Sequence, residues 1–127
     1  MKNDKPFPFT VAGRVRSLGY ALTGIRRFFR REHNAWLHLA ATGLVIILLL
    51  IVPVSAAEAA ILLLATGMVW AAELFNTVIE QIMDFISEKQ QPQIGYIKDL
   101  AAAAVLVTAL AAVAAGGIIF IPKFLSW

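Results

Sequence analysis

The sequence contains no cysteine and few charged residues. Of its 127 residues, only 15% are Asp, Glu, Lys or Arg, whereas 60% are hydrophobic. Without cysteine the chain forms no disulfide, offers no thiolate nucleophile and binds no zinc through sulfur. Its mean hydropathy of +0.77 is far above that of an ordinary soluble domain. These features exclude a water-soluble globular protein and make redox chemistry a poor explanation.

Three long stretches are almost free of charged side chains. Residues 33–57 contain no Asp, Glu, Lys or Arg, residues 59–79 contain a single acid, Glu73, and residues 100–122 contain none. A helix rises about 1.5 Å per residue, so roughly 20 apolar residues cross the hydrocarbon layer of about 30 Å. The sequence therefore predicts an all-α membrane protein with one domain. The predicted transmembrane helices lie at about 37–57, 59–79 and 100–122 of a domain that covers 1–127.

The basic residues are concentrated before the first apolar stretch. Eight of the eleven Lys and Arg residues precede Glu32, and the net charge is +3. Next to long apolar segments, such a cluster contacts anionic lipid headgroups and keeps its side of the chain in the cytoplasm. We therefore predict a cytoplasmic N-terminus, a cytoplasmic connection at about 81–98 and no nucleic-acid partner.

Residues 14–36 are predicted to form an amphipathic helix on the membrane surface. Apolar residues recur at intervals of three and four, which is the spacing of one helical face, and arginines occupy the other faces. An anchoring helix on the inner leaflet accounts for this pattern. The apolar set is Leu18, Leu22, Ile25 and Phe29.

Two further groups of polar residues have structural explanations. Ser55 and Glu58 have the spacing of a capping box, in which the serine caps a helix and the glutamate reaches back to it. His33 and His38 lie at the start of the first transmembrane segment, where the expected role is a hydrogen-bonding anchor at the membrane interface. We assign neither histidine to a metal site.

The second predicted transmembrane helix carries a polar stripe. Its members lie at offsets 0, 3, 4, 7 and 11, so at about 100° per residue they share one helix face. An Asp in a membrane helix costs about 2.5–3.5 kcal/mol on insertion scales, so intramembrane carboxyl groups mark function by default. The alternative for Glu73 is a protonated acid that hydrogen-bonds between helices. The stripe consists of Glu73, Asn76, Thr77, Glu80 and Asp84.

Carboxylates at the inner surface of a membrane suit phosphoryl transfer. Mg²⁺ is commonly held by one or two carboxylates together with substrate phosphates, and the reaction needs positioning, charge neutralisation and a base for the attacking hydroxyl. Glu73 lies deeper than Glu80, as expected for a base that meets a hydroxyl within the bilayer. The sequence contains neither GxxxxGK[ST] nor GxGxxG, which excludes a P-loop and a protein-kinase nucleotide fold.

Three ordered motifs resemble the small bacterial diacylglycerol kinase and undecaprenol kinase family. ExNxxxH begins at Glu32, ExxNTxxE begins at Glu73 and KDxAA begins at Lys98. The ordered set is much more specific than any single motif, and the match covers about residues 14–122. The chain is therefore identified as a member of this family.

The resemblance implies a homotrimer in the bacterial cytoplasmic (inner) membrane, with active sites on the cytoplasmic side that are shared between protomers. It also implies ATP as the phosphoryl donor, Mg²⁺ as the cofactor and a membrane lipid as the acceptor. By matching position, Glu73 is the base that activates the lipid hydroxyl, and Glu32 and Glu80 hold the magnesium ion. The remaining implied nucleotide contacts are Tyr20, Asn76, Lys98 and Asp99.

The sequence departs from the family pattern in two places. The segment 88–96 lacks a histidine that is often found there, so we transfer no nucleotide contact to residues 85–97. Gly13 stands where some members have an arginine, which leaves Arg14 or Arg16 as candidates for its role.

The leading hypothesis is a lipid kinase that phosphorylates diacylglycerol or undecaprenol, and the apolar segments do not distinguish these acceptors. A second hypothesis is a small ion- or proton-handling membrane protein in which the intramembrane carboxylates form a relay. It predicts ion flux without ATP. A third is a noncatalytic accessory subunit that packs through the small residues of its third transmembrane helix.

Overall fold

The computed structural model describes residues 10–87, 89 and 91–126. Within these residues the chain is all-helical, and the three long apolar helices are each able by length and composition to cross a membrane. The predicted all-α class is therefore confirmed. The ends of the predicted domain, 1–9 and 127, lie outside the described residues. The helices are α1 (Val11–Arg31), α2 (His33–Ile51), α3 (Ala56–Ile86) and α4 (Pro92–Leu125), of which the last three are the long apolar ones.

The first compact unit contains α1. The Thr10 side chain caps this helix by accepting a hydrogen bond of 3.1 Å from a backbone N–H of the first turn. Arg30 and Arg31 occupy the last turn, where positive charge is favourable beside the carbonyl end of the helix dipole. The backbone of Glu32 is extended. As a result α1 stops before the end of the predicted range 14–36.

The second compact unit begins at Asn34 and holds the other helices. At the start of α3, the Ser55 side chain accepts a hydrogen bond of 3.2 Å from the Glu58 backbone N–H. The Glu58 carboxylate accepts one of 2.7 Å from the Ser55 N–H. The capping-box prediction is therefore confirmed. α4 begins at Pro92. Proline has no backbone N–H, and it is suited to the first turn because the N–H groups there have no intrahelical acceptor.

α3 and α4 pack against each other and run in opposite directions. An ion pair lies at each end, with Lys123 Nζ 3.1 Å from the Glu58 carboxylate and Lys98 Nζ 2.9 Å from Asp84 Oδ1. The helices contain 31 and 34 residues. At about 1.5 Å per residue they are roughly 46 and 51 Å long, which exceeds a hydrocarbon layer of about 30 Å. Their polar ends therefore extend past the apolar segments predicted from the sequence.

The apolar core of the second unit lies near the Glu58 end of this helix pair. Partly buried residues of α2, including Val45 and Leu48, pack against it. Val69 is the next buried residue of α3, and the buried residues after it are polar, so the apolar and polar parts of the interior are separated along the helix. The core consists of Val52, Leu62, Ile119 and Phe120.

Candidate functional site

The predicted stripe on α3 is partly buried in the helical bundle. Glu73 is only 2% exposed, and Asn76 and Thr77 are also buried. These positions follow one another at steps of three and one, so a continuous α-helix turns all three toward the interior. Burying a carboxylic acid this deep in an apolar segment costs free energy unless a partner replaces its lost hydration. Such a residue is therefore a candidate functional group.

Asn76 and Glu80 form the next part of the stripe. Asn76 Nδ2 donates a hydrogen bond to Glu80 Oε1 at 3.3 Å. The other amide atom, Asn76 Oδ1, is buried and has no hydrogen-bond partner among the residues that the structure describes. Leaving a buried acceptor unsatisfied costs about 1–3 kcal/mol. A ligand or water at this position would remove that penalty, so the amide oxygen marks a polar site that a bound molecule can complete.

His38 contacts the deepest carboxylate of the stripe. Its Nε2 lies 3.5 Å from Glu73 Oε2, and the imidazole also meets the Trp70 ring edge to face at a centroid distance of 6.0 Å. The sequence analysis expected only an interfacial anchor at His38. The position of His38 at the end of the ExNxxxH motif was the available signal that the residue has a further role.

An apolar cavity of about 320 Å³ lies between α2, α3 and α4. Leu44, Leu62, Val69 and Phe120 are among the residues that line it, and His38 belongs to the same lining. Hydrocarbon fits such a space, whereas a charged group would lose its hydration there. The cavity can therefore hold an apolar chain next to His38, the residue that contacts Glu73.

The beginning of α4 lies beside the end of α3. Lys98 and Asp99 line a second cavity of about 580 Å³ together with Asp84. Lys98 precedes the predicted membrane segment 100–122. The hydrogen bond to Asp84 raises the pKa of Lys98, and the negative charges of Asp84 and Glu80 act in the same direction. Lys98 is therefore protonated at neutral pH and can meet an anion, and Asp84 has an ion-pair partner that the sequence did not reveal.

The remaining predicted site residues belong to the first unit. Tyr20 lies on α1 and is exposed, and Glu32 is partly buried where α1 ends. Their convergence with the α3 residues stays a prediction. Within the second unit, one face of α3 carries Glu73, Asn76 and Glu80. The negative charge of Glu80 also contributes to the raised pKa of Lys98.

The oxygen atoms of the α3 stripe are of the kind that Mg²⁺ prefers. Across the described ranges, no three His, Cys, Asp or Glu side chains lie close enough together to form a metal site. Mg²⁺ is commonly held by one or two carboxylates with phosphates and water completing its six positions. Glu80 and the unsatisfied Asn76 Oδ1 fit a site of this shared kind.

Fold and site together define a membrane protein whose buried carboxylate lies near an apolar cavity. Comparison with known proteins shows which family the chain belongs to. The family described as prokaryotic diacylglycerol kinase matches residues 19–120. The chain is 38% identical over 108 residues to an undecaprenol kinase of Bacillus subtilis, covering 85% of this chain and 88% of that protein. It is 33% identical over 111 residues to a diacylglycerol kinase of Synechocystis sp., covering 87% of this chain and 63% of that protein.

The chain belongs to the prokaryotic diacylglycerol kinase family. It is therefore an enzyme of the lipid kinase class, as the three motifs predicted, rather than an ion-handling protein or a noncatalytic subunit.

Proposed function

We propose that the protein transfers the γ-phosphate of magnesium-bound ATP to the hydroxyl of a membrane lipid at the cytoplasmic surface of the bacterial inner membrane. The observation that carries the proposal is the burial of Glu73 at 2% exposure inside an apolar helix. A carboxylate held at that depth is available to a hydroxyl that arrives from the bilayer. ATP reaches the more polar end of α3 from the cytoplasm.

Glu73 is the general base in this proposal. It accepts the proton of the lipid hydroxyl as the hydroxyl oxygen attacks the γ-phosphorus, while the bond from that phosphorus to the β–γ bridging oxygen breaks and ADP leaves. A positioned base contributes typically about 10²–10⁴-fold to the rate. The apolar cavity that includes His38 in its lining supports this assignment, because part of the acceptor's hydrocarbon chain can occupy it while the hydroxyl points to Glu73.

Glu32 and Glu80 are the proposed ligands of Mg²⁺. The unsatisfied Asn76 Oδ1 beside Glu80 supports a bound group at this level of α3. When bound, the ion neutralises charge on the phosphates of ATP. The hydrogen bond from Asn76 holds one carboxylate oxygen of Glu80 in place, and Glu32 is the second proposed carboxylate.

Tyr20, Asn76, Lys98 and Asp99 are the proposed contacts of the nucleotide. Lys98 is the best supported of these, because it is protonated, lines a cavity and lies beside the α3–α4 connection. An ammonium group there attracts phosphate oxygens. Asp99, one residue further, lines the same cavity.

We further propose that α1 lies on the membrane surface and that three copies of the chain assemble with shared active sites. Exposed apolar side chains on α1, including Leu18 at 62% and Leu22 at 59% exposure, support contact with lipid.

Undecaprenol is the acceptor that we favour, with diacylglycerol as the alternative. The relative named undecaprenol kinase is covered over 88% of its length, whereas the relative named diacylglycerol kinase is covered over 63%. The test is an assay of the purified full-length chain in mixed micelles with ATP labelled at the γ-phosphate, Mg²⁺ and one acceptor at a time. Label is expected in the lipid extract with undecaprenol.

The same assay with diacylglycerol is the matched comparison. Label only with diacylglycerol would overturn the choice of acceptor while leaving the lipid kinase intact. Label in neither lipid extract, from protein that binds ATP and is folded by circular dichroism, would overturn the proposed reaction. Omission of Mg²⁺ should abolish labelling in either case.

A further inference from the structure

We infer that His38 is a positioning residue for Glu73, and that its imidazole holds the carboxylate in the orientation that receives the proton of the acceptor. The inference rests on the proposed role of Glu73 as the base. His38 Nε2 lies 3.5 Å from Glu73 Oε2. This exceeds the usual hydrogen-bond length of about 2.7–3.2 Å, but catalytic hydrogen bonds are often long until the substrate binds.

Burial makes the contact important for the orientation of the carboxylate. The Glu73 side chain is 2% exposed and the His38 side chain is 15% exposed. Bulk water therefore contributes little to holding the carboxylate. An imidazole N–H directed at one oxygen would fix the plane of the carboxylate and leave its second oxygen for the lipid hydroxyl.

The Trp70 ring contacts the imidazole and is itself held by a hydrogen bond. Trp70 Nε1 donates a hydrogen bond to Thr42 Oγ1 at 2.9 Å, and the Thr42 hydroxyl donates to the backbone oxygen of His38 at 2.7 Å. The Trp70 ring meets the imidazole at an interplanar angle of 62°. Trp70 lies one turn before Glu73 on α3. Trp70, which contacts His38, and Glu73, which His38 contacts, therefore lie on the same helix. Such supporting contacts are what keep a catalytic group within a narrow range of geometry.

The location of His38 suits this task. It also lines the apolar cavity between α2, α3 and α4. His38 therefore stands between the space proposed for the acceptor chain and the carboxylate proposed to activate the acceptor hydroxyl. A displacement of about 1 Å in such a constellation can reduce turnover by about a hundredfold.

The test compares His38→Phe with His38→Gln in the full-length protein. Phenylalanine keeps a ring against Trp70 but has no nitrogen, whereas glutamine can still donate a hydrogen bond to Glu73. We expect His38→Phe to lower kcat by up to about a hundredfold, with KM for ATP unchanged. We expect His38→Gln to recover a clear part of that loss. His33→Phe, which changes an exposed histidine, should keep the wild-type kcat.

Wild-type kcat in His38→Phe, or equal losses in the Phe and Gln variants, would overturn the inference, because packing alone would then explain the residue. Should His38→Phe fail to fold, His38→Ala replaces it in the comparison with His38→Gln. Glu73→Gln assayed in parallel separates the two proposals. An active Glu73→Gln variant overturns the proposed base, whereas an inactive one beside an active His38→Phe variant overturns only the role of His38.

Discussion

Two regions of α3 surround their carboxylates differently. At one end, Glu58 Oε2 accepts a hydrogen bond from the Ser55 N–H and pairs with Lys123, so this oxygen has two partners. Further along α3, Glu73 is buried against His38. The Glu58 region lies by the apolar core, whereas the Glu73 region contains a buried amide oxygen, Asn76 Oδ1, with no partner among the described residues.

This difference separates structural carboxylates from functional ones. The Glu58 carboxylate has both a hydrogen bond and an ion pair, as expected for a carboxylate that stabilises the fold. Glu73 is buried near an apolar cavity, and Asn76 Oδ1 on the same helix has no partner among the described residues, as expected where a ligand completes the contacts. The four predictions below test that separation in order of decreasing effect.

Glu73→Gln should have the largest effect, because the amide cannot accept the proton of the lipid hydroxyl. We expect turnover to fall by about 10²–10⁴-fold with ATP binding largely intact, measured by transfer of labelled phosphate to lipid. Glu58→Gln is the matched control and should keep wild-type turnover. Comparable losses in the two variants would contradict the distinction between the Glu58 and Glu73 regions.

Glu80→Gln should weaken the response to Mg²⁺. Loss of one contact to a charged group should raise the Mg²⁺ concentration for half-maximal activity by about ten- to a hundredfold. A magnesium titration of the phosphoryl-transfer rate measures this shift, with Glu58→Gln again as the control. An unchanged titration midpoint would remove Glu80 from the proposed metal site.

Lys98→Gln and Lys123→Gln compare the lysines of the two α3–α4 ion pairs. Each change removes the positively charged partner of a carboxylate on α3. Only Lys98 is proposed to meet phosphate, so Lys98→Gln should raise KM for ATP by roughly tenfold and Lys123→Gln should leave it unchanged. Initial rates at varied ATP measure the difference. Equal KM values in the two variants would make both pairs purely structural.

Ser55→Ala should have the smallest effect on activity. Loss of the N-cap should destabilise α3 by about 0.5–2 kcal/mol, seen as a lower thermal unfolding midpoint in detergent. Turnover below that midpoint should equal that of the wild type, because the cap lies at the Glu58 end. A loss of turnover without a change in the midpoint would mean that this end takes part in catalysis.

Local features of the helices could be predicted from the sequence. Helical spacing alone predicted that Glu73, Asn76 and Thr77 share a face, because that relation depends only on the turn of one helix. The capping box at Ser55 and Glu58 was predictable for the same reason, since its atoms come from residues three apart. The helix limits were less predictable, because α3 and α4 continue past their apolar segments into polar residues.

Contacts between helices were not predictable in this way. The sequence treated His38 as an interfacial anchor and left Asp84 without a partner, whereas the structure pairs them with Glu73 and Lys98. Which face of α2 meets α3 depends on packing and on the connection between the helices. Lys98 is fourteen residues from Asp84 in the sequence and lies on the next helix.

Composition, the lengths of the apolar segments and the three ordered motifs determined the class of the protein, because hydrocarbon thickness and helix rise allow few alternatives for such a chain. The motifs also predicted the residues of the candidate site. Tertiary structure alone decided that His38 stands against Glu73, that Asn76 Oδ1 is left without a partner among the described residues, and that an apolar cavity lies beside them. These relations depend on how separate helices pack, and side-chain packing between helices is not set by the periodicity of any one of them.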